Sequence, residues 1–394
     1  MANQTKSTDP GREKKNFSIG LVGFGGIGKF HTVNWRNLNL YYPGLPVNIH
    51  LRGAAARTQR SADLAVSEGG YAYGTTDFQT LIEDPDIDLI DICTPNDTHY
   101  EIYKAALEAG KHIYIEKPLA LNLDQAQEMH KMAEGTDRII QVAFNYRFIP
   151  AVMKAKQLIK EGFLGEVINF RAQYFHTGYL NPEKPMTWRL SQEKSGGGAL
   201  VDLGSHVIDL MLYLAGPFQK IMAQTKTFVD QRPIQAGEKE RVKVLVDDHA
   251  QLLVELKTGG VGIVEVSRVT QGTTDDLNFE IHGTKGALKF DVMDPNWLYV
   301  YDARDKKVPL GGNHGYKQIQ TMYEYPGNQI PGGRSLVNAM GMHANSQYQV
   351  VRAALGLQPP SPTVREGVAV QQILDASYRS AREERWVEIP DFEN

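Results

Sequence analysis

The sequence feature that most constrains the fold is a glycine-rich segment, GFGGIG at residues 23–28, which lies between the apolar run FSIGLV and a segment with helical character. In such a strand, turn and helix, GxGxxG spacing has a mechanical meaning. The first glycine allows the tight turn, the second lets the backbone approach a pyrophosphate, and the third lets helix and strand pack closely. The helix N-terminus then offers unpaired N–H groups to phosphate. The segment therefore predicts a dinucleotide-binding unit, with contacts from Gly23, Gly25, Gly26, Ile27 and Gly28.

Up to about residue 148, short apolar runs alternate with helical stretches. The predicted strands lie at 88–93, 112–115 and 139–142, and the predicted helices lie at 98–109 and, behind the N-cap residue Asn122, at 123–133. This alternation is typical of a parallel sheet with crossover helices. We therefore predict an α/β fold with an N-terminal Rossmann domain over residues 17–148.

After residue 149 the pattern changes, and strands come to dominate. The segment QLLVELKTGGVGIVEVSRV places Gly259-Gly260 at a hairpin turn, and LNFEIHG and GALKFDV extend it into an antiparallel meander. Helices are predicted at 152–160, 198–214 and 364–382. Residues 149–394 are thus predicted to form a second domain that combines helices with an antiparallel sheet.

Composition excludes several classes of protein. The net charge of −4, from 42 Lys and Arg against 46 Asp and Glu, argues against nucleic acid as a partner. A single cysteine, Cys93, forms no internal disulfide, so we expect a cytoplasmic protein. We expect no membrane span and no metal, since no run approaches ~20 apolar residues and no His, Cys and carboxylate cluster has ligand spacing. Residues 1–16 are expected to be a disordered polar lead.

The end of the second predicted strand bears on the choice between NAD and NADP. An NAD site normally has an Asp or Glu there to bind the ribose 2′-hydroxyl. The strand instead ends in Gly-Ala-Ala-Ala-Arg-Thr, and no carboxylate follows until Asp63. Arg57 and Thr58 could hold a 2′-phosphate, because a guanidinium binds phosphate through charged hydrogen bonds. We therefore lean slightly towards NADP and leave NAD open.

Three segments together resemble the Gfo/Idh/MocA family of oxidoreductases. They are GFGGIG at 23–28, DICTPNDTHYEIYKAALEAGKHIYIEKPLA at 91–120 and GGGALVDLGSHVIDLMLYLAG at 196–216. The resemblance extends over nearly the whole chain after residue 16. It implies a Rossmann domain followed by an α+β domain with a large, mostly antiparallel open sheet. That sheet often mediates oligomers in the family, so we expect a homo-oligomer, either a dimer or a tetramer.

The resemblance also implies catalytic residues. The family has an active-site lysine in its EKP motif, which matches Lys117, and a proton-transfer histidine in DxGxH, which matches Asp202 to His206. Spacing supports the second assignment, since Asp202 and His206 lie one helical turn apart and point the same way. The position of Lys117 is also supported, because open α/β sheets bind ligands where their strands end.

Further site residues are candidates by the same resemblance, except that Tyr174, His176 and Tyr179 are candidates because they lie on or after the strand that should face the pocket. Those expected to contact the cofactor are Thr94, Pro95, Asn96, His99, Glu116, Lys117, Asn145, Trp188 and Arg189. Those expected to contact substrate are Lys117, Asn145, Arg147, Tyr174, His176, Asp202 and His206, with Tyr179 as a further candidate.

The expected activity is oxidation of a secondary hydroxyl of a sugar, anhydrosugar or inositol-like polyol, with hydride transfer to a nicotinamide. Two alternatives stay open. One is a redox-neutral glycosidase that oxidises its sugar transiently at C3, and the other is a non-catalytic regulator that senses the nucleotide. Retention of both Lys117 and His206 argues against the regulator, because a pure binding module needs no base.

Overall fold

The computed structural model describes residues 14–306, 308, 310, 314–321, 329 and 339–391. The N-terminal part is a six-stranded parallel sheet in the order β3-β2-β1-β4-β5-β6, which confirms the predicted Rossmann fold. Its strands are β1 (Lys15–Val22), β2 (Val47–Ala55), β3 (Tyr73–Thr75), β4 (Leu89–Ile92), β5 (His112–Ile115) and β6 (Ile140–Val142). Its helices are α1 (Gly26–Tyr41), α2 (Gln59–Leu64), α3 (Gln79–Glu83), α4 (His99–Glu108) and α5 (Leu123–Glu134).

Local signals account for several of these boundaries. The Asn122 side chain accepts a hydrogen bond from the Gln125 backbone N–H at 3.0 Å and so begins α5 where predicted. The first strand begins at Lys15, two residues earlier than predicted, because Lys15 and Asn16 already pair with β2. The rest of the predicted lead, residues 1–13, lies outside the described residues.

The second part of the chain forms a nine-stranded open sheet in the order β16-β15-β14-β13-β7-β12-β11-β8-β17. Among the described strands of this sheet, only the neighbours β7 and β12 run parallel, and the predicted hairpin at Gly259 joins β11 to β12. The strands are β7 (Val167–Phe175), β8 (Phe218–Lys226), β11 (His249–Leu256), β12 (Val261–Ser267), β13 (Asp276–Gly283), β14 (Gly286–Asp291), β15 (Trp297–Asp302), β16 (Lys317–Gln320) and β17 (Val387–Glu388), and β9 (Gln231–Pro233) pairs with β10 (Arg241–Lys243) in a separate ribbon. The helices are α6 (Pro150–Lys160), α7 (Gln192–Ser195), α8 (Ser205–Leu214), α9 (Ala339–Ala354) and α10 (Val364–Glu383).

The two faces of the large sheet differ. Alternate residues of β11 and β12 are buried against the core, and α6, α8 and α10 pack on that face. The opposite face exposes apolar side chains, namely Ile168, Leu253, Val261 and Ile263. Alternation of this kind is what period-two strands produce when one face of the sheet is covered.

Helix α9 departs from the predicted domain division, which assigns all of residues 149–394 to the second domain. It packs against α1 and β5 of the Rossmann sheet. The Tyr348 ring stacks on Tyr42 with centroids 3.7 Å apart, and the Tyr114 hydroxyl donates to Ser346 Oγ at 2.8 Å. The chain thus returns to complete the core of the first domain. Local sequence patterns do not predict this contact, because its partners are far apart in the sequence.

One helical segment, Gln192–Leu214, is long and apolar enough by length and composition to span a membrane. Of its most apolar window, 83% is buried inside the structure. This burial matches a core helix of the second domain, which meets the same length and composition test.

Candidate functional site

A cavity of about 460 Å³ lies between the carboxyl edge of the parallel sheet and the second domain. Gly23 follows β1, Thr94 follows β4, Glu116 follows β5 and Asn145 follows β6, so four strand ends meet at this edge. The predicted residues that line the cavity are Gly26, Ile27, Thr94, Asn96, Glu116, Lys117, Asn145, Trp188, Arg189, Asp202 and His206. Residues far apart in sequence are therefore brought to one place.

The glycine turn has the shape that a dinucleotide requires. Gly23 has a φ of +105°, and a Cβ there would lie 2.5 Å from the Cys93 carbonyl oxygen. A Cβ at Gly28 would lie 1.9 Å from the Gly23 carbonyl oxygen, so the helix and strand are in contact there. At Gly25 and Gly26 a Cβ would meet nothing within 4 Å. The backbone is thus open to a pyrophosphate at the N-terminus of α1, and the residues fit NAD or NADP.

Lys117 and Asp202 form an ion pair at the cavity wall. Lys117 Nζ donates to the Asp202 carbonyl oxygen at 2.7 Å and to Oδ1 at 3.0 Å, and Arg189 Nε lies 3.6 Å from Oδ2. Burial alone would raise the pKa of Asp202, but the charges of Lys117 and Arg189 outweigh it and hold the pKa well below its usual range. Asp202 is therefore a carboxylate that fixes Lys117 in place.

The chain carrying Asp202 is a π-helical turn, Leu200–Gly204, which leads into α8. The spacing predicted one regular helix over 198–214. The wider turn differs from that prediction, and such turns are frequent at functional sites. Both Asp202 and His206 still reach the cavity.

His206 lies in the first turn of α8 among aromatic rings. Its ring packs edge-on against Tyr146, with centroids 4.8 Å apart, and against Tyr174 at 6.0 Å. Burial, followed by the charge of Lys117, lowers the pKa of His206 well below 6.5. The imidazole is therefore neutral and able to accept a proton.

Behind Glu116 lies a second, enclosed cluster. His31 Nδ1 is 3.0 Å from Asp91 Oδ2, and His31 Nε2 is 3.1 Å from Glu116 Oε1. Burial opposes a charge on His31, yet contacts with Cys93 and Asp91 raise its pKa well above its ordinary value. Both ring nitrogens lie close to carboxylate oxygens, and the Nδ1 contact also has hydrogen-bond geometry, whereas the Nε2 contact is one of distance alone. We interpret His31 as an imidazolium between two buried acids.

The prediction that no metal-ligand cluster exists needs correction. His31, Glu116 and His343 bring ligand atoms within 4.8 Å of one another, although they lie on α1, after β5 and on α9. Ligand spacing in sequence could not reveal a cluster assembled from three distant elements. We interpret it as an ion pair beside a neutral histidine, because His31 carries a proton on the nitrogen that would face a metal, and burial lowers the pKa of His343 to about 3.

Two predicted contact residues have structural roles instead. The Arg147 guanidinium is buried, donates to both carboxylate oxygens of Asp209 at 2.8 and 2.6 Å, and lies 4.5 Å from the Tyr213 ring centre. It ties α8 to the domain crossing and does not line the cavity. His99 is fully buried, with its ring nitrogens 3.1 Å from the Pro118 and Thr94 carbonyl oxygens, so it supports the cavity loops from behind.

Other predicted residues also lie outside the cavity lining. Pro95 precedes the short turn Asn96–Thr98. Thr58 caps α2 by accepting from the Ser61 N–H, and Arg57 is exposed beside it at the end of β2. The Arg268 guanidinium lies over the Tyr179 ring, with its central carbon 4.7 Å from the ring centre.

Tyr174 and His176 stand behind a cavity residue that sequence reasoning missed. Both donate to Asp275 Oδ1, Tyr174 from its hydroxyl at 2.6 Å and His176 from Nε2 at 3.0 Å. Asp275 lies in a polar loop with no motif around it. His343 and Met342, on α9, also line the cavity without any local signal, whereas Tyr146 could have been suspected from its place between Asn145 and Arg147.

Comparisons with known proteins agree with this geometry. A family model described as an oxidoreductase family with an NAD-binding Rossmann fold matches residues 17–144, and a GFO/IDH/MocA C-terminal domain model matches residues 152–289. Levoglucosan dehydrogenase of Pseudarthrobacter phenanthrenivorans is 33% identical over 397 residues, covering 96% of this chain and 99% of the relative. Myo-inositol 2-dehydrogenase of Thermotoga maritima is 27% identical over 286 residues, covering 72% of this chain and 78% of the relative.

Solved structures extend the likeness to three dimensions. Levoglucosan dehydrogenase in complex with NADH and levoglucosan has a TM-score of 0.89 at 32% identity, covering 96% of this chain and 100% of that chain. An oxidoreductase domain protein from Kribbella flavida has a TM-score of 0.88 at 34% identity, covering 96% of this chain and 100% of that chain. As its motifs predict, the chain belongs to the Gfo/Idh/MocA family of oxidoreductases, and its first domain is an NAD-binding Rossmann domain.

Proposed function

We propose that this chain is an NAD(P)-dependent dehydrogenase that oxidises a secondary hydroxyl of a sugar, anhydrosugar or cyclic polyol. The observation that carries the proposal is the convergence of Lys117, Asp202 and His206 on one cavity beside the glycine turn. When bound, the nicotinamide cofactor supplies the hydride acceptor. The protein has to orient the carbinol carbon and remove the hydroxyl proton.

His206 is the proposed base, because its imidazole is neutral and lies at the cavity wall. Lys117 is proposed to donate a hydrogen bond to the reacting oxygen, so that negative charge developing on that oxygen is stabilised. Asp202 orients Lys117 through the contacts already described. The three side chains thereby divide proton acceptance, charge stabilisation and positioning among themselves.

The substrate class rests on the cavity and on the relatives. A wall that offers Lys117 and Arg189 as donors and carboxylates as acceptors suits a molecule with several hydroxyl groups. The relatives named above are dehydrogenases of levoglucosan and myo-inositol, which are compact polyhydroxylated rings. We include both among the candidate substrates.

For the cofactor, we propose that Arg57 lets the site accept the 2′-phosphate of NADP. Its support is the absence of a carboxylate at the end of β2 and the exposed position of Arg57 there. The relative crystallised with NADH favours NAD. A direct comparison of the two cofactors is therefore part of the test.

We also propose a homo-oligomer, a dimer or tetramer, formed through the exposed face of the large sheet. Ile168, Leu253, Val261 and Ile263 place exposed apolar surface there. A cytoplasmic location belongs to the same proposal. Light scattering on the purified chain should give a mass of two or four subunits, and a Leu253→Lys variant should reduce it. A monomeric wild type would rule out this part of the proposal.

The test of the activity is a substrate panel with NAD and NADP supplied separately. The panel contains levoglucosan, myo-inositol, scyllo-inositol, free aldoses and aryl glycosides, and the readout is absorbance of the reduced cofactor. A dehydrogenase accumulates reduced cofactor with at least one alcohol. Release of the aryl group without net reduction would favour the redox-neutral glycosidase. Cofactor binding with neither reaction would favour the regulator.

A further inference from the structure

Asp275 is a carboxylate on the second-domain wall of the cavity, in the loop between β12 and β13. Its side chain is 53% exposed, yet it is not held loosely. The Tyr174 hydroxyl donates to Oδ1 at 2.6 Å, and His176 Nε2 donates to the same oxygen at 3.0 Å. The His176 hydrogen bond, the largest cause, lowers the pKa of Asp275 and keeps it ionised.

The support behind Asp275 continues into the core. Tyr174 is buried, and its hydroxyl oxygen also lies 2.6 Å from the Tyr146 hydroxyl. Because the Tyr174 proton is committed to Asp275, the Tyr146 hydroxyl donates to Tyr174. The rings of Tyr146 and Tyr174 pack against the His206 imidazole. One hydrogen-bonded chain therefore orients Asp275 and contacts the proposed base.

These hydrogen bonds use only one of the two carboxylate oxygens of Asp275. No hydrogen bond from the described residues reaches Asp275 Oδ2, while both donors converge on Oδ1. An ionised carboxylate accepts hydrogen bonds and donates none. A cavity group of this kind selects a ligand that presents a hydroxyl hydrogen and discriminates against a ligand that presents only an ether or carbonyl oxygen.

We propose that Asp275 is a specificity-determining residue, which accepts a hydrogen bond from a substrate hydroxyl other than the one that is oxidised. The inference rests on the proposed function, because it names the recognition of a polyol in the same cavity. Lys117 and His206 act on the reacting hydroxyl, and Asp275 binds a second hydroxyl at another part of the second-domain wall. Sites built to bind a hydroxyl discriminate strongly against the analogue that lacks it.

The test compares the wild type with Asp275→Asn, which keeps the size of the side chain and removes its charge. The matched control is Asp276→Asn, whose carboxylate contacts Gln173 on β7 and Asn278 on β13 and does not line the cavity. On the best alcohol of the panel, we expect Asp275→Asn to raise KM by about 10- to 100-fold, with kcat within about threefold. NADH affinity, followed by fluorescence, should be unchanged. The control should match the wild type.

Monodeoxy derivatives of the same alcohol locate the contact. The wild type should bind one of these derivatives more weakly than the parent alcohol. The Asp275→Asn variant should bind that derivative and the parent alcohol equally well, because the carboxylate that would contact the missing hydroxyl is already absent. Additive losses for every derivative, or a KM equal to that of the control, would overturn the inference while the dehydrogenase activity stands.

Calorimetric titration of the NADH-loaded enzyme with levoglucosan and myo-inositol separates the two proposals. If the wild type oxidises no alcohol but binds one of these probes, the proposed activity is wrong. Loss of that binding in Asp275→Asn would still support the role of Asp275, and equal binding would overturn it. A wild type that neither oxidises nor binds any polyol would overturn both proposals.

Discussion

Glu116 and Lys117 are adjacent at the end of β5, but they belong to two clusters that differ in nearly every physical respect. Glu116 borders the cavity, but it joins His31 and Asp91, which are completely buried. Lys117 pairs with Asp202 beside His206, and all three side chains line the cavity. One peptide unit thus separates a buried ion triad from an ion pair with a neutral histidine at the cavity wall.

The difference teaches which charges serve the fold and which serve chemistry. In the enclosed cluster each ring nitrogen of His31 lies within 3.1 Å of a carboxylate oxygen, and removal of one of these charges leaves buried charge uncompensated. In the open cluster burial and the charge of Lys117 hold His206 neutral. Breaking the first cluster should cost stability, whereas breaking the second should cost turnover.

The largest effect is expected at the open cluster. His206→Ala should lower kcat by about 100- to 10,000-fold, because loss of a general base costs that much. Affinity for the cofactor, measured by NADH fluorescence, should stay within a few fold. A control, His282→Ala, changes a half-buried histidine on β13 that lies outside the cavity lining, and should leave kcat unchanged. An equal loss in cofactor binding would show that His206 is misplaced in this mechanism.

The enclosed cluster should respond in stability. His31→Gln should lower the free energy of unfolding by about 3 to 5 kcal/mol near pH 7, because Asp91 and Glu116 lose the cation between them. Urea unfolding measures this difference, and His50→Gln, a half-buried histidine 3.4 Å from Ser18 Oγ, is the control. Equal stability of His31→Gln and the control would contradict the assignment of an imidazolium.

The pH dependence of that difference gives a second check. The pKa of His31 is raised, so its contribution is fully present below its unfolded value of about 6.5 and is lost as pH rises through the higher folded value. The pKa of Glu116 is lowered, because the His31 contacts outweigh burial, so its contribution is lost as pH falls. The penalty of His31→Gln should therefore shrink both in acid, below the unfolded pKa of Glu116, and in alkali, above the folded pKa of His31.

Lys117→Ala tests the link between the clusters with a smaller effect on rate. We expect kcat to fall by about 10- to 100-fold with a smaller rise in KM, since the proposed hydrogen bond strengthens as charge develops. Burial is the largest cause of the lowered pKa of His206, but the charge of Lys117 contributes. Removal of the Lys117 charge should raise the pKa of His206, so the acid limb of the kcat/KM profile should move to higher pH.

A matched control for Lys117→Ala is Lys104→Ala, an exposed lysine on α4. It should leave both kcat and the pH profile unchanged. A variant at Lys117 that changes only KM would make this side chain a binding residue.

The sequence predicts the open cluster better than the enclosed one, and the reason is locality. Asp202 and His206 lie in one segment, and Lys117 lies in a motif at a strand end, so the family resemblance implies their place at the ligand and their spacing supports it. His31, Asp91 and Glu116 come from α1, β4 and the end of β5, and their meeting depends on the register of the parallel sheet. The hydrophobic periodicity of the sequence does not predict that register.

The same argument explains the errors at single residues. Arg147 lies between two cavity residues in the motif AFNYRF, but its guanidinium turns away because Asp209 offers a bidentate partner in the core. Asp275 was missed because its loop carries no motif and becomes part of the cavity only through the pairing of β13 with β7. Hydrophobic patterning and turn chemistry predicted the Rossmann sheet and the second-domain sheet, whereas side-chain direction had to come from packing.

Arg57 offers the smallest predicted effect, and it lies in neither cluster. It is exposed at the end of β2, so water competes for its guanidinium in a way that does not occur at His31. A charged hydrogen bond to phosphate is worth about 1.5 to 3 kcal/mol, or roughly 10- to 150-fold, and exposure favours the lower end. Arg57→Ala should therefore weaken NADP about tenfold and NAD much less, as measured by separate titrations with the reduced cofactors. Arg60→Ala, an exposed arginine in the first turn of α2, is the control. If the wild type already prefers NAD by tenfold or more, Arg57 is a solvated surface charge, and cofactor choice is set elsewhere in the site.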